Sequence, residues 1–562
     1  MNGSKASASG QTADTASQRG QISRAAGLLG SLTFLSRLSG LFRDVVIGAL
    51  FGSSAGADAF FVAFRIPNLF RRIVAEGAAS TAFVPVFTSY LRREGRAGAL
   101  AAAGAVGGVA VVVLIIIAAL GSLFAAEVVT LFAPGFAADP AKQGLAVALT
   151  RLIFPYLVLV GMAAWAMGTL NTFRRFAAPA LGPILLNLSI VAAALFLSPR
   201  FEEPVYALAV GVLVGGVCQF LVQWPSLHDV GLRLSMMARP LHTAVGRVGG
   251  LLGPTLFGGA VYQINILVAT LFASLLPTGS VSWLWYADRV FEFPLGIVAV
   301  AVGTAALPSL SDQAARRSLG EMADSVSYAL RLVWALTIPA MIGLWVLAPA
   351  IVSLLFERGG FDARDSAMTS WALRAYLPGL LAVASVRVLV MPFYALQKPR
   401  LPVMAAVVAL FVNAAVDLAF MGPTDPSAPW WAASTVASLT AGLGVYNLGH
   451  AGLALGTAIA AIVNAVVLVI LLRTILPGPR LFAGLGGSVL RHTVAAIVMG
   501  LALLGWKWLA ATVLAAAGAW VLTLGGVVVG LTVYLAVAVA VGSREIRDLM
   551  GQARSGVVRR FR

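Results

Sequence analysis

The stretch GAVGGVAVVVLIIIAALGSLF, residues 104–124, contains no charged side chain. A helix rises about 1.5 Å per residue, so roughly 20 apolar residues cross the ~30 Å hydrocarbon core of a bilayer. Comparable runs recur from about residue 25 to about residue 541. We place spans near 25–50, 58–91, 98–124, 147–173, 178–197, 205–225, 245–275, 281–310, 325–350, 367–394, 402–421, 451–473, 487–508 and 512–541. None alternates with the period of two that a membrane β-barrel requires. Of the 562 residues, 60% are hydrophobic and 11% charged, where soluble proteins carry about 25% charged residues. The expected fold is therefore an all-α polytopic membrane protein with about 14 transmembrane helices.

The ends and loops differ in character. Residues 1–22 are rich in Ser, Ala, Gly and Thr and lack the apolar core of a signal peptide, so they are expected to form a disordered cytoplasmic tail. Residues 543–562 form a basic cytoplasmic tail. The lone Cys218 lies in an apolar run, where a thiol packs as a small hydrophobe. With the N-terminus inside, the cytoplasmic loops and tails hold 24 Lys and Arg and the outer loops hold 5. That bias satisfies the positive-inside rule with both termini cytoplasmic. It also accounts for most of the net charge of +17 without nucleic acid, for which no motif is present. The apolar segment 429–449, beginning at Trp430-Trp431, reads as an interfacial piece, an extension of its neighbour or an extra span. An extra span would reverse the later loops and is rejected.

Ten basic residues are left inside the spans, all arginines: Arg37, Arg43, Arg65, Arg71, Arg72, Arg151, Arg289, Arg331, Arg374 and Arg387. A charge at mid-bilayer costs about 2.5–3.5 kcal/mol on insertion scales, so such groups face a bundle interior or a wet cavity. Arg331 and Arg387 are expected to snorkel from span ends. Those of the first two spans and the eighth cluster with polar residues. Asp58, Arg65, Arg72 and Glu76 share a stripe on the second span, with Asn68 and Arg71 beside it and Pro67 bending the helix. On the first span Arg37 and Asp44 share a face, with Arg43 adjacent. On the eighth, Asp288 and Arg289 are followed one turn later by Glu292. Such groups can be structural salt bridges, a polar cavity with surplus positive charge, or both.

Shifting the chain by 223 residues aligns Thr81-Ala-x-x-Pro85 with Thr304-Ala-x-x-Pro308, Arg151-x-x-x-Pro155 with Arg374-x-x-x-Pro378, and Pro179 with Pro402. Spans 1–6 thus read as duplicated in spans 7–12 with parallel topology. This gives two six-helix lobes (23–230 and 240–475) around a central site, related by parallel pseudo-symmetry, plus two extra C-terminal helices over 485–542. Parallel repeats of this kind suit alternating access. The extra pair suits a groove for a lipid tail.

Other classes find little support. There is no phosphate-binding G-x-x-x-x-G-K-[ST] loop and no G-x-S-x-G elbow. The four histidines match no zinc spacing, and Asp362-x-x-Asp365 reads as a solvated loop. No catalytic residue is expected: the chain reads as a transporter, not an enzyme.

The stretches FLSRLSGLFRDVVIGALFG (34–52), ADAFFVAFRIPNLFRRIVAEGAASTAFVPVF (57–87), SVSWLWYADRVFEFPLG (280–296) and GTAALPSLS (303–311) resemble the MurJ (MviN) family of lipid II flippases in the MOP exporter superfamily. The resemblance runs from residue 25 to about 541, departing at the N-terminal tail and at an insertion near 425–449. It implies that lipid II, the undecaprenyl-pyrophosphate-linked disaccharide peptide, is moved from the inner to the outer leaflet of the bacterial cytoplasmic membrane for cell wall (peptidoglycan) biosynthesis. By motif, the family's cavity arginines fall on Arg37, Arg43, Arg71 and Arg289, with polar support from Asp58, Asn68, Glu76, Ser282, Asp288 and Glu292. Arginine suits a pyrophosphate, because its fork of permanently charged donors matches phosphate oxygens. The resemblance also implies an energy source in the membrane potential or in sodium, the latter at Asn413, Asp417 and Thr457. Relatives with such a site carry an acid on the seventh span, and residues 255–275 here contain none. No other cofactor is implied. Membrane lipids and cell-wall synthesis proteins are the partners expected besides lipid II. A flippase for another polyprenyl-pyrophosphate-linked glycan and a non-transporting membrane scaffold are the alternatives. A cation exporter would need intramembrane acids in excess of arginines.

Overall fold

Away from water an apolar run must satisfy its own backbone hydrogen bonds, and a helix does so within a single segment. In the computed structural model every regular element among the described residues is helical. The structure describes residues 30–71, 82–233, 236, 242–426, 428–444, 446–512 and 518–551, with backbone alone at 70–71, 253–262 and 297–309. The helices are α1 (30–51), α2 (Ala55–Arg71), α3 (Val84–Leu123), α4 (Ala125–Phe132), α5 (Pro140–Ile153), α6 (Tyr156–Thr172), α7 (Ala177–Phe196), α8 (Tyr206–Leu221), α9 (Trp224–Asp229) and α10 (Thr243–Ser274). They continue as α11 (Ser280–Ala315), α12 (Leu319–Phe356), α13 (Ala363–Tyr376), α14 (Leu380–Leu389), α15 (Met391–Ala395), α16 (Arg400–Phe420), α17 (Ala433–Leu443), α18 (His450–Arg473), α19 (Gly478–Leu481), α20 (Leu485–Thr512) and α21 (Ala519–Ala540).

Ten helical segments among the described residues are long and apolar enough to cross a membrane. The remaining expected spans, 25–50, 58–91, 245–275 and 281–310, fall on segments that include undescribed residues or side chains. Among the described residues, the segment 429–449 holds only the short helix α17. At Gly95 the backbone takes φ 70° and ψ −166°, so α3 is two helices joined across a break that a Cβ would oppose.

Packing divides the chain into two units. One comprises Met1–Leu50, Ala59–Val129 and Ala141–Ala260; the other comprises Phe51–Asp58, Thr130–Pro140 and Val261–Arg562. The last boundary between them falls within α10.

In the first unit α7 packs along α8 through Gly211 and Gly215. A Cβ on Gly211 would stand 2.8 Å from the Cα of Ile190, and one on Gly215 would stand 2.9 Å from the Cα of Leu186. Small residues four apart let backbones approach this closely in membranes. Trp165 of α6 is buried against α3 and donates from Nε1 to the Ala103 carbonyl at 2.8 Å.

The second unit repeats the device, with α16 packed on α18 at Gly452 and Gly456. Here α20 and α21 pack on each other and on α12. Glu545 ties this pair down by accepting hydrogen bonds from Ser488 at 3.1 Å and Ser543 at 3.2 Å. Burial opposes its charge, but these bonds and one from its own backbone hold its carboxyl below the usual range.

The internal repeat is visible in the elements. A shift of 223 residues carries α5 onto α13 and the start of α7 onto the start of α16. It also carries the Gly95 break onto the break at 316–318 between α11 and α12. Arg151 donates from Nε to the Ser122 carbonyl at 3.2 Å, and its counterpart Arg374 donates to the Trp345 carbonyl, also at 3.2 Å. These two arginines make the same structural bond in each copy.

A Cβ added at Gly456 would stand 2.0 Å from Oδ1 of Asp417 and 3.0 Å from Nδ2 of Asn413. Gly456→Ala is therefore expected to push α18 off α16 and cost about 1–3 kcal/mol, read as a lowered melting temperature in detergent.

Candidate functional site

On α1, Arg37 is exposed while Arg43 is 8% exposed. Arg43 donates to Oδ1 of Asp44 from Nε at 3.0 Å and from Nη2 at 2.7 Å, and from Nη1 to Oδ1 of Asn187 at 3.1 Å. Its guanidinium also lies 5.9 Å from the Phe64 ring centroid. Arg43, which helix spacing placed on a face adjacent to that of Arg37 and Asp44, thus pairs with Asp44. Adjacent helix positions do not face each other, but the long arginine folds back to its neighbour when both are buried.

On α2, Ser54 caps the start by accepting from the Ala57 amide at 3.2 Å. Pro67 lies within the helix, and Arg65 and Asn68 are half-buried. Arg71 is its last residue. The side chain of Arg71, and Arg72 and Glu76 altogether, lie outside the described residues.

The second unit gathers several expected residues around the start of α11. Gly279, the N-cap, is left-handed with φ 99° and offers no capping side chain. The cap comes from Asp58, which accepts from the amides of Gly279 at 2.8 Å and Ser282 at 2.9 Å and from the Ser282 hydroxyl at 2.6 Å. Four amides at a helix start lack partners and carry partial positive charge, so a buried carboxylate belongs there. Asp58 and Ser282 are engaged with each other and fully buried.

Beside them Trp283 donates from Nε1 to Oδ1 of Asp365 at 2.9 Å, and Ser53 bonds the same oxygen. Asp362 caps α13 by accepting from the Asp365 amide at 2.8 Å. The pair read as a solvated loop is therefore one helix cap and one buried anchor. A solvated loop and an N-cap share the same local signature, and only the tertiary partners separate them.

Two turns further along α11 sits the charged cluster. Nη1 of Arg289 is 3.3 Å from Oε2 of Glu292, and Nη2 is 3.7 Å from Oδ2 of Asp288. The guanidinium lies 4.7 Å from the Trp285 ring centroid, within cation–π range. The side chains of Arg289, Asp288 and Glu292 are 23%, 36% and 35% exposed. The cluster is thus a partly open cation between two partly open acids. Arg37, Arg43 and Asn68 belong to the first unit, and Asp58, Ser282, Asp288, Arg289 and Glu292 to the second.

Arg331 and Arg387 do not simply snorkel. Arg331 donates from Nη1 to the Ala483 carbonyl at 2.7 Å and lies 3.6 Å from Oε1 of Glu545. Arg387 donates to the Leu295 carbonyl of α11 at 3.3 Å. Both join helices, a role that one-dimensional hydropathy does not signal.

On α16, Nδ2 of Asn413 donates to Oδ1 of Asp417 at 2.9 Å, both residues being fully buried. Oδ1 of Asn413 and Oδ2 of Asp417 have no protein partner among the described residues. The Thr457 hydroxyl of α18 bonds its own helix at the Leu453 carbonyl, 3.1 Å away. Among the described residues no three His, Cys, Asp or Glu side chains gather as a metal site. An apolar groove of about 520 Å³ runs along the second unit, lined by Trp334, Phe482, Leu485, Gly486, Val489, Leu490 and Thr493.

Comparison with known proteins follows the same lines. The sequence profile of the family described as lipid II flippase MurJ matches residues 47–524. A lipid II flippase MurJ of Burkholderia cenocepacia is 36% identical over 454 residues, covering 80% of this chain and 83% of that one. A probable lipid II flippase MurJ of Vibrio cholerae is 37% identical over 413 residues, covering 70% and 76%. A lipid II flippase MurJ solved in an inward closed conformation superposes with TM-score 0.74 at 26% identity, covering 93% of this chain and 99% of that one. An inward-facing multidrug resistance MATE transporter of the MOP superfamily shares the fold at TM-score 0.63 and 14% identity, covering 78% and 94%. This chain belongs to the lipid II flippase MurJ family.

Proposed function

We propose that this chain carries lipid II from the inner to the outer leaflet of the cytoplasmic membrane by alternating access, with both termini in the cytoplasm. The observation that carries the reading is Arg289: a partly open guanidinium on a membrane helix, within the stretch 280–296 that resembles the family. A pyrophosphate can displace Asp288 and Glu292 from this fork through charge-assisted bonds. The same two acids then compete for the fork on release, so that the site binds without trapping. In the first unit Arg43 is already paired with Asp44, which leaves Arg37 and Arg71 as the arginines there proposed to meet phosphate. The groove beside α20 suits the prenyl tail, which has no need to leave an apolar surface.

Outward movement of two negative charges under an inside-negative potential of about 100 mV is favoured by roughly 4–5 kcal/mol. In proteoliposomes holding the full chain and lipid II, an inside-negative potassium diffusion potential is expected to speed outward translocation and the reversed potential to slow it. Indifference to the sign of the potential would remove this energy source.

A second reading, sodium coupling, is favoured by the two buried oxygens of Asn413 and Asp417 that lack protein partners. With the Thr457 hydroxyl nearby in sequence register, the donor set is the all-oxygen kind that a hard cation takes. Asp417→Asn is then expected to abolish any sodium dependence of translocation. Equal rates in sodium and in choline for the wild type would exclude the coupling.

A further inference from the structure

The segment between α16 and α18 is long and nearly uncharged. From 426 to 449 it carries no Lys, Arg, Asp or Glu. Its neck is fixed: the Leu448 amide donates to the Phe420 carbonyl at 2.9 Å, Gly422 is left-handed with φ 88°, and Asn447 packs onto it. Between the two necks lies α17, which packs on α16 with Ala433, Ala437 and Thr440 buried.

The exposed surface of α17 is divided. At about 100° per residue, Val436, Leu439 and Leu443 share one flank, while Ser434 and Ser438 share another roughly 150° away. Leu439, Leu443, Ser434 and Ser438 are all exposed. Trp431 is 89% exposed just before the helix, and Tyr446 is 66% exposed just after it. A helix packed on protein along one side, apolar on a second and hydroxyl-bearing on a third has three different surroundings.

We infer that α17 lies in the plane of the bilayer interface as a monotopic anchor, its occupant being lipid. Val436, Leu439 and Leu443 dip into the acyl boundary, Ser434 and Ser438 face water, and Trp431 and Tyr446 sit at headgroup level. Three observations favour lipid over a protein partner. Both neighbouring helices are membrane spans that end at this segment. Their own outward stripes, Met404, Val408 and Phe411 on α16 and Ile462, Val466 and Ile470 on α18, are exposed and apolar. The segment also lacks the charges that give a protein interface its register, while Trp and Tyr are the side chains enriched at membrane interfaces. Amphipathic helices seat in this way about 5–10 Å into the headgroup boundary. The inference does not depend on the transported substrate.

The test uses the full chain in lipid nanodiscs with Cys218→Ser and one new cysteine at a time carrying a nitroxide. Collision with oxygen reports lipid, and collision with a water-soluble nickel chelate reports solvent. Phe411→Cys serves as the bilayer reference and Glu202→Cys, exposed in a loop, as the aqueous reference. Labels at Leu443→Cys and Leu439→Cys are expected to be reached by oxygen and shielded from nickel, at a depth between the two references, and a label at Ser434→Cys to match the aqueous one. Nickel access at all three positions would show a solvated loop and overturn the inference. Protection from both reagents at 439 and 443 would show a protein or a second copy on this flank, and would overturn it equally.

Discussion

Arg289→Ala is expected to abolish complementation in cells depleted of their own lipid II flippase, while the protein inserts and melts close to the wild-type temperature. Its ion pairs with Asp288 and Glu292 are local to one helix and partly exposed, the class whose loss costs stability least. Its loss from the site is another matter. A charge-assisted hydrogen bond of about 1.5–3 kcal/mol corresponds to roughly 10- to 150-fold in affinity, and a fork supplies two. The site would also change sign, because Asp288 and Glu292 would remain to repel a pyrophosphate. Arg289→Lys keeps the charge but loses the planar fork and the stacking on Trp285, and is expected to restore only part of the activity. Full complementation by Arg289→Ala, or equal activity of the alanine and lysine variants, would contradict this role.

Asp58→Ala is expected to act through the fold. Its carboxylate is the only cap described for α11, and it meets two backbone amides and a hydroxyl where no water reaches. Alanine leaves these three donors buried and unsatisfied at about 1–3 kcal/mol each, so a total loss of about 3–9 kcal/mol is expected. The melting temperature should fall, and amide exchange should rise at residues 279–283 before it rises elsewhere. Asp58→Asn retains one accepting oxygen and should recover part of both. An unchanged melting temperature for Asp58→Ala would show that the cap contributes little.

Hydropathy alone located the ten described spanning segments, because burial in lipid demands length and apolarity and little else. The repeat was legible for a similar reason: prolines and arginines that shape a helix in one copy shape it in the other, and Arg151 and Arg374 make matching bonds. The polar contacts were less legible. Nothing local to Asp58 indicates that its partners lie at Gly279 and Ser282, and nothing near Arg331 or Arg387 indicates a carbonyl distant in sequence, in the turn before α20 for one and on α11 for the other. The pairing of Arg43 with Asp44 was hidden by the rule that i,i+1 side chains diverge, which a buried, flexible arginine evades. The break at Gly95 was legible too: it falls in the gap between the expected spans 58–91 and 98–124, where Arg92, Arg93 and Arg96 interrupt the apolar pattern.

The central claim is that guanidinium groups hold the pyrophosphate of the substrate. It is tested most directly by lipid II binding to purified protein, wild type against Arg37→Gln/Arg71→Gln/Arg289→Gln. Arg43 is left in place because its removal would break the ion pair with the buried Asp44. The triple variant, folded as judged by its melting temperature, is predicted to bind at least about tenfold more weakly, the equivalent of one lost charge-assisted bond. Undiminished binding by that folded variant would contradict the account.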